Sequence, residues 1–181
     1  MSSIRAIAAC ALVSLGWASH ALAAEEAQVK AEFVERFTRF IEWPHSALPP
    51  DDAPFVVCVF GESPLSAQLE GVLANRKIHD RGVQLKRLSD HAPVADCHVL
   101  YIASSARSEV SRIVSELKGK PVLSVGDTNG FAELGLLINL YVDEHAHVRF
   151  EINVEAAKAS GLQISAKLMT LSKQTGAGSA P

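Results

Sequence analysis

The chain has 181 residues, of which 48% are hydrophobic, and it carries a formal net charge of −3 at pH 7. Because there is no basic excess, nothing indicates nucleic acid or an anionic membrane surface as a partner. The length fits one domain with its own hydrophobic core.

The N-terminus has the pattern of a secretory signal peptide. Arg5 supplies a positive charge, residues 6–17 are mostly apolar, and Ala21-Leu22-Ala23 provides a small-x-small cleavage site. The apolar run is shorter than the roughly 20 residues that span a bilayer. A lipoprotein box ending at Cys10 is the alternative, but almost no apolar region precedes it. We therefore predict a signal peptide over residues 1–23, cleaved after Ala23, and a periplasmic location for the mature protein.

Cys58 and Cys97 are the two cysteines that remain after this cleavage. In an oxidising compartment, two cysteines most simply form one disulfide. Closing the loop between them would stabilise the fold by about 4 kcal/mol in the chain-entropy model. The alternative is a pair of buried free thiols.

Strands and helices alternate through the first two thirds of the mature chain. Hydrophobic periodicity predicts a helix over residues 27–43, which Pro44 ends because the residue before a proline is pushed out of helical geometry. Four strands and two capped helices follow. The strands are predicted over residues 55–60, 83–88, 98–102 and 121–125, and the helices begin at Ser63-Pro64 and Ser104-Ser105.

The C-terminal third departs from this alternation. Residues 136–142 and 147–152 are predicted strands joined by a short turn, so they form an antiparallel hairpin. A helix over residues 154–160 and an amphipathic segment over residues 164–171 follow. We predict a single α/β domain with a mostly parallel sheet, a C-terminal antiparallel hairpin and helices on the faces of the sheet. Its bounds are residues 24–172, and residues 173–181 are predicted to be a disordered polar tail.

Catalytic and metal-binding patterns are weak in this sequence. It contains no G-x-S-x-G, HExxH, P-loop or G-x-G-x-x-G motif. Asp96-Cys97-His98 places a thiol beside a base, but neighbouring residues on a strand point to opposite faces. His145 and His147 could share a face, yet two histidines fall short of the ligands of a zinc site. We predict neither a catalytic residue, nor a metal site, nor a cofactor.

A small ligand could bind at the carboxyl ends of the parallel strands, the usual position in open α/β sheets. The loops that follow these strands begin at Gly61, Ala103 and Gly126 and contain small residues near helix N-termini. Ordinary helix caps have the same composition. A periplasmic small-molecule-binding protein is therefore the alternative to a regulatory binding protein.

The exit of the first helix is rich in large side chains, including Phe40, Trp43 and Pro44. Most of such a stripe packs in a core. Tryptophan is also a favoured anchor in protein interfaces. We predict that these three residues take part in binding a partner, with a core role for Trp43 as the alternative.

The mature chain resembles the YfiR family along nearly its whole length. The likeness begins with Lys30-Ala31-x-Phe33 and Phe40-Ile41-Glu42-Trp43-Pro44. It continues through three further segments, which are residues 54–61, 96–102 and 138–140, and through the C-terminal motifs at residues 148–153 and 164–168.

This resemblance implies a periplasmic inhibitor that binds the periplasmic sensor domain of an inner-membrane diguanylate cyclase and restrains cyclic-di-GMP synthesis, with control of biofilm formation as the output. It also implies dimer formation and a possible redox input. Two departures matter. Some relatives carry a second cysteine pair around residues 132–139, which is absent here, and Leu140 stands where the family pattern has phenylalanine.

Two polar residues carry separate predictions. Asn139 lies in an apolar strand, where an unpaired buried amide would cost about 1–3 kcal/mol, so it should bond the backbone of a neighbouring segment. Lys167 matches the family pattern, which would give it a role shared by the family. The alternative is an ordinary surface lysine whose side chain extends along apolar neighbours.

Overall fold

An eight-stranded sheet forms the centre of the computed structural model, which describes residues 22–176. Its strand order is β10-β8-β7-β6-β5-β2-β4-β3, and a second, two-stranded sheet pairs β1 with β9. The strands are β1 Ile41–Glu42, β2 Phe55–Phe60, β3 Lys77–Ile78, β4 Arg81–Leu88, β5 Val99–Ile102, β6 Leu123–Gly126, β7 Ile138–Val142, β8 Val148–Asn153, β9 Gln163–Ile164 and β10 Lys173–Thr175. The helices are α1 (residues 22–37), α2 Pro64–Leu73, α3 Val110–Leu117, α4 Val154–Ser160 and α5 Ala166–Leu171, with 3-10 turns at His45–Ala47 and Ser104–Glu109.

Five neighbouring strands, from β4 to β7, run parallel to one another. Strand β8 turns back against β7 in the antiparallel hairpin, and β3 pairs antiparallel with β4 at the other edge. The central strands β2 and β5 are buried at every position because helices cover both faces of the sheet. The predicted α/β class, mostly parallel sheet and C-terminal hairpin are confirmed.

Two hydrophobic layers lie on opposite faces of the sheet. Alternate residues of β2 supply both, since successive side chains of a strand point to opposite sides. Phe55 and Val57 face a layer that includes Phe37 of α1, whereas Cys58 and Phe60 face a layer with α3. Helix α1 is thus fixed to one face and α3 to the other.

The first helix ends six residues earlier than predicted. It stops at residue 37, and the backbone then tightens through bonds from Thr38 N to Glu35 O and from Phe40 N to Phe37 O. Ile41 pairs with Ile164 in the β1–β9 ladder and is 1% exposed. Burial of Ile41 in an extended segment outweighs the helical periodicity that the sequence shows at this point.

The predicted tail is wrong in its first three residues. Lys173–Thr175 forms β10, which pairs parallel with β8. Without it, the outer backbone groups of β8 would form an unpaired sheet edge. Residues 177–181 and the predicted signal peptide up to residue 21 lie outside the described part of the chain. Within residues 22–176, no helix combines the length and apolarity needed to cross a membrane.

Candidate functional site

The predicted disulfide joins two neighbouring parallel strands. Cys58 lies in the middle of β2, and Cys97 lies two residues before β5. Their Cα atoms are 5.8 Å apart, and both side chains are buried in the layer that contains α3. The bridge therefore connects the sheet internally, within the core.

The segment Asp96-Cys97-His98 is structural in this geometry. The Sγ of Cys97 is bonded to Cys58, and Nδ1 of His98 accepts a hydrogen bond from Val56 N–H at 2.9 Å. The His98 ring stacks on Phe55 with 4.5 Å between centroids. Burial lowers the pKa of His98, which favours the neutral ring that accepts this bond.

Trp43 lies in the core, which agrees with the alternative role considered for it, and its contact with a partner stays a prediction. It is 6% exposed, and its ring meets Phe55 edge-on at 5.2 Å and His79 at 5.4 Å. Within residues 22–176 its indole nitrogen has no hydrogen-bond partner, so the residue acts through apolar packing. Trp43 keeps this position because its ring shields the apolar ring of Phe55 from solvent at the start of β2.

Phe40 and Pro44, the other two residues predicted at this place, reach the surface. Phe40 is half-buried beneath Lys167, whose Nζ lies 5.8 Å from the ring centroid, and Pro44 is exposed. The side chain of Glu42 is also exposed between them. A backbone bond from Ser165 N to Phe40 O fixes this segment against the C-terminal part of the chain. We call Phe40, Glu42, Pro44 and Lys167 the helix-exit surface.

The loops at the carboxyl ends of the strands pack against one another. The hydroxyl of Ser105 accepts from Glu62 N–H at 2.8 Å. A Cβ atom on Gly61, which has φ +84°, would lie 2.7 Å from Ser105 Oγ. Only glycine fits this close approach. The first two candidate loops therefore leave little space for a ligand between them.

A chain of polar side chains fills the remaining space at this end of the sheet. Tyr101 O–H donates to Asp127 Oδ1 at 2.9 Å, and its oxygen lies 2.8 Å from Ser63 Oγ. Lys30 reaches from α1 to Asp127 at 3.6 Å and to Glu26 at 2.7 Å. Burial, and then the charge of Asp127, raise the pKa of Tyr101 well above its usual range, so the phenol stays protonated. We call these five residues the strand-end network.

Sequence reasoning missed this network. The sequence predicts a strand for Tyr101 and a helix for Lys30 but no contact between them, and the structure leaves only 8% of Lys30 exposed. The available signal was a carboxylate, Asp127, directly after a buried strand, together with a lysine in the first helix. Neither feature identifies its partner without the topology.

Asn139 extends the polar arrangement into the neighbouring strand. Its Oδ1 accepts from Thr128 N–H at 3.2 Å, a backbone contact of the predicted kind. Its Nδ2 donates to Glu151 at 3.0 Å, and Lys173 lies 3.8 Å from the other oxygen of that carboxylate. The amide thus links the loop after β6 to β8 and β10.

The histidines of the hairpin turn are exposed, and their ring centroids lie 6.3 Å from each other. Asp143 organises the turn: it accepts from the N–H groups of His145 and His147 and from Arg149 Nε. These bonds, that from Arg149 first, lower the pKa of Asp143 to about 2. Among the residues that the structure describes, no three His, Cys, Asp or Glu side chains are grouped to hold a metal.

These features define a class of protein: a disulfide-bridged α/β domain whose strand-end loops are filled by its own side chains. The chain belongs to the YfiR/HmsC-like family (DUF4154), whose model matches residues 27–173. Membership of this family indicates a periplasmic regulator. No curated protein matches the chain at a significant level.

Solved structures share the fold at low sequence identity. A conserved domain protein from Vibrio cholerae O1 biovar El Tor superposes with a TM-score of 0.55 at 11% identity, over 82% of this chain and 60% of that one. The ABC domain in complex with L-Trp from Streptococcus pneumoniae gives a TM-score of 0.54 at 13% identity, over 82% and 59%. The chain thus spans about 60% of the length of these relatives, and the likeness concerns the fold alone.

Proposed function

We propose that this protein inhibits an inner-membrane diguanylate cyclase by binding its periplasmic sensor domain, and so restrains cyclic-di-GMP synthesis. Family membership supports a regulator. The observation that carries the choice of a protein partner is the strand-end network, because the usual ligand position of an open α/β sheet is occupied by Tyr101, Asp127 and Lys30. Binding through the outer surface is the function that this geometry supports best.

The alternative, a small-molecule binder at the carboxyl ends of the strands, has less support. A ligand there would have to displace Lys30 from Asp127 and separate Glu62 from Ser105. Breaking the nearly buried ion pair between Lys30 and Asp127 would leave each charge without that partner, a cost that a small ligand would have to offset. The contacts that remain available to a partner are therefore on the surface.

The helix-exit surface is our proposal for the partner contact. It combines an apolar ring, Phe40, and a rigid exposed residue, Pro44, with one charge of each sign, Glu42 and Lys167. The buried Trp43 beneath it and the β1–β9 ladder restrain its shape. A preformed patch loses little conformational entropy when it binds, which favours affinity.

The test is retention of a membrane diguanylate cyclase by the immobilised mature protein, together with cellular cyclic-di-GMP. The double variant Phe40→Ser/Pro44→Asp should lose the cyclase and raise cyclic-di-GMP, while circular dichroism still reports a folded protein. The matched control is Leu134→Ser, which alters an exposed leucine in the loop that precedes β7. It should retain the cyclase.

Two results would contradict the proposal in different ways. A wild-type protein that retains no cyclase would remove the proposed partner. A folded double variant that still retains the cyclase would remove only the helix-exit surface from the contact. Dimer formation remains a prediction, and sedimentation of the mature protein tests it.

A further inference from the structure

A cleft opens at the amino ends of β6 and β7, the end of the sheet opposite to the strand-end network. It has a volume of about 340 Å³ and lies between the C-terminal end of α3 and helix α4. Six side chains form its apolar walls and floor: Val114, Leu117, Val122, Leu137, Ala156 and Ala159. The volume is within the range of small-ligand sites, which starts at roughly 300 Å³.

Small residues keep this cleft from being filled. Helix α4 contributes the methyl groups of Ala156 and Ala159 to its apolar wall, beside the polar side chains of Glu155 and Ser160. Gly135, with φ +107°, lets the chain before β7 pass close to α3, where an added Cβ would lie 2.8 Å from Val114. The backbone can therefore approach here, while the space between the two helices stays empty of large side chains.

The charges at the mouth of the cleft favour an anion. Lys118 and Lys120 are exposed on its rim, and within residues 22–176 neither has an ion-pair partner. Glu155, the carboxylate that also lines the cleft, is held by Lys158 at 3.3 Å. A cationic rim beside an apolar floor suits a molecule with an acid group at one end.

The floor offers one further donor. Ser124 is 5% exposed, and its oxygen accepts from Leu137 N–H at 3.0 Å. In the described part of the chain, its hydroxyl hydrogen has no recorded acceptor. The hydroxyl can therefore donate to a polar atom of a ligand without losing the bond that it already makes.

We propose that this cleft binds an amphipathic carboxylate, an unbranched acyl chain of about ten carbons whose acid group lies at Lys118 and Lys120. If each water-sized group occupies roughly 30 Å³, the cleft holds about eleven such groups. This number is close to the number of carbon atoms in the proposed acyl chain. The inference concerns a different surface from the helix-exit surface and does not rest on the proposed cyclase partner.

The test titrates decanoate, below its micelle concentration, into the oxidised mature protein, with calorimetry and amide NMR as readouts. Binding should saturate, and the shifted amides should cluster in α3, residues 118–122 and α4. The double variant Lys118→Gln/Lys120→Gln should weaken binding about five- to tenfold, and decan-1-ol should bind about as weakly as decanoate does to that variant. Ala159→Leu, which fills the cleft, should abolish binding.

A matched control is Lys77→Gln/Lys86→Gln, which removes two exposed lysines at the far edge of the sheet. It should bind decanoate as the wild type does. Absence of saturable binding at millimolar decanoate, or shifts confined to other surfaces, would overturn the proposal. So would unchanged affinity in the Lys118/Lys120 variant, whose surface substitutions leave the core intact.

Discussion

The two ends of the sheet differ in how their polar groups are satisfied. At the carboxyl ends of the strands, Tyr101, Asp127 and Lys30 bond one another, and the adjacent loops are in contact. At the amino ends of β6 and β7, a cleft remains between α3 and α4, with Lys118 and Lys120 free of ion pairs in the described chain. Open α/β sheets usually bind ligands at the carboxyl ends of their strands, but in this protein side chains fill that end of the sheet.

The comparison teaches that topology alone does not locate a binding site. A carboxylate after a parallel strand attracts a ligand only when its own chain leaves it unpaired. Asp127 has two protein partners, one of them delivered by α1 from the other end of the sequence. The open end persists because alanine and glycine line it where larger residues would close it.

The largest loss of stability is expected at the amino end of β2. An aromatic cluster fills the space there, whereas a cleft remains at the amino end of β6. Trp43→Ala should destabilise the protein by about 3–5 kcal/mol, because it leaves a cavity against Phe55 and His79. Denaturant unfolding of the mature protein measures this. Trp43→Phe, which keeps much of the apolar contact, should cost clearly less; equal stability of Trp43→Ala and wild type would contradict the core assignment.

A substitution in the strand-end network should lower the free energy of unfolding somewhat less. Lys30→Met removes one partner of a nearly buried ion pair and leaves Asp127 to Tyr101 alone, so we expect a loss of about 3 kcal/mol. The control is Glu26→Gln, since the Glu26 side chain is 44% exposed and its pairing with Lys30 should contribute little. Similar melting temperatures for Lys30→Met and wild type would show that the network does not hold α1 to the sheet.

Asn139→Ala tests the link between the closed end and the C-terminal strands. Thr128 N–H and the Glu151 carboxylate would lose a buried partner, at a cost of about 1–3 kcal/mol. Hydrogen exchange should also quicken at the amides of β10, because Lys173 shares Glu151. A variant with an unchanged melting temperature would remove Asn139 from a structural role.

The smallest effect is a pH dependence from the amino end of β2. Burial keeps the folded pKa of His98 below the unfolded value of about 6.5, so the unfolded chain takes up the proton first. Stability should therefore fall as the pH drops from about 6.5 through the folded pKa, with a slope of at most about 1.4 kcal/mol per pH unit. His98→Gln retains an acceptor for Val56 N–H and should flatten this part of the curve, as urea titrations at several pH values can measure. An unchanged slope would assign the dependence to another group.

The sequence was sufficient for the large elements and insufficient for the short ones. Buried apolar runs such as residues 55–60 and the hairpin around residues 143–146 have strong periodic signals. The disulfide could be predicted because two cysteines remain after the predicted cleavage. Strands β1, β3, β9 and β10 have two or three residues each, too few to show a period. Their formation depends on partners distant in the chain, as Ile41 depends on Ile164.

The candidate site was harder to predict for a related reason. Phe40, Trp43 and Pro44 are neighbours in sequence, yet one is buried and the others reach the surface, because the chain changes from helix to strand between them. The strand-end network joins Lys30 to Asp127 across nearly a hundred positions. Composition gives the charges, but only the fold decides which of them meet.

The disulfide has a consequence for a compartment that contains proteases. The loop that it closes, with a sequence separation of 39 from Cys58 to Cys97, encloses α2, β3 and β4 and includes exposed turns around Asn75 and His91. A single cut in either turn would leave two polypeptides that are still covalently joined through the core of the sheet. The nicked molecule would migrate as one band without reductant and as two with it, and β2 and β5 would stay side by side despite the broken backbone.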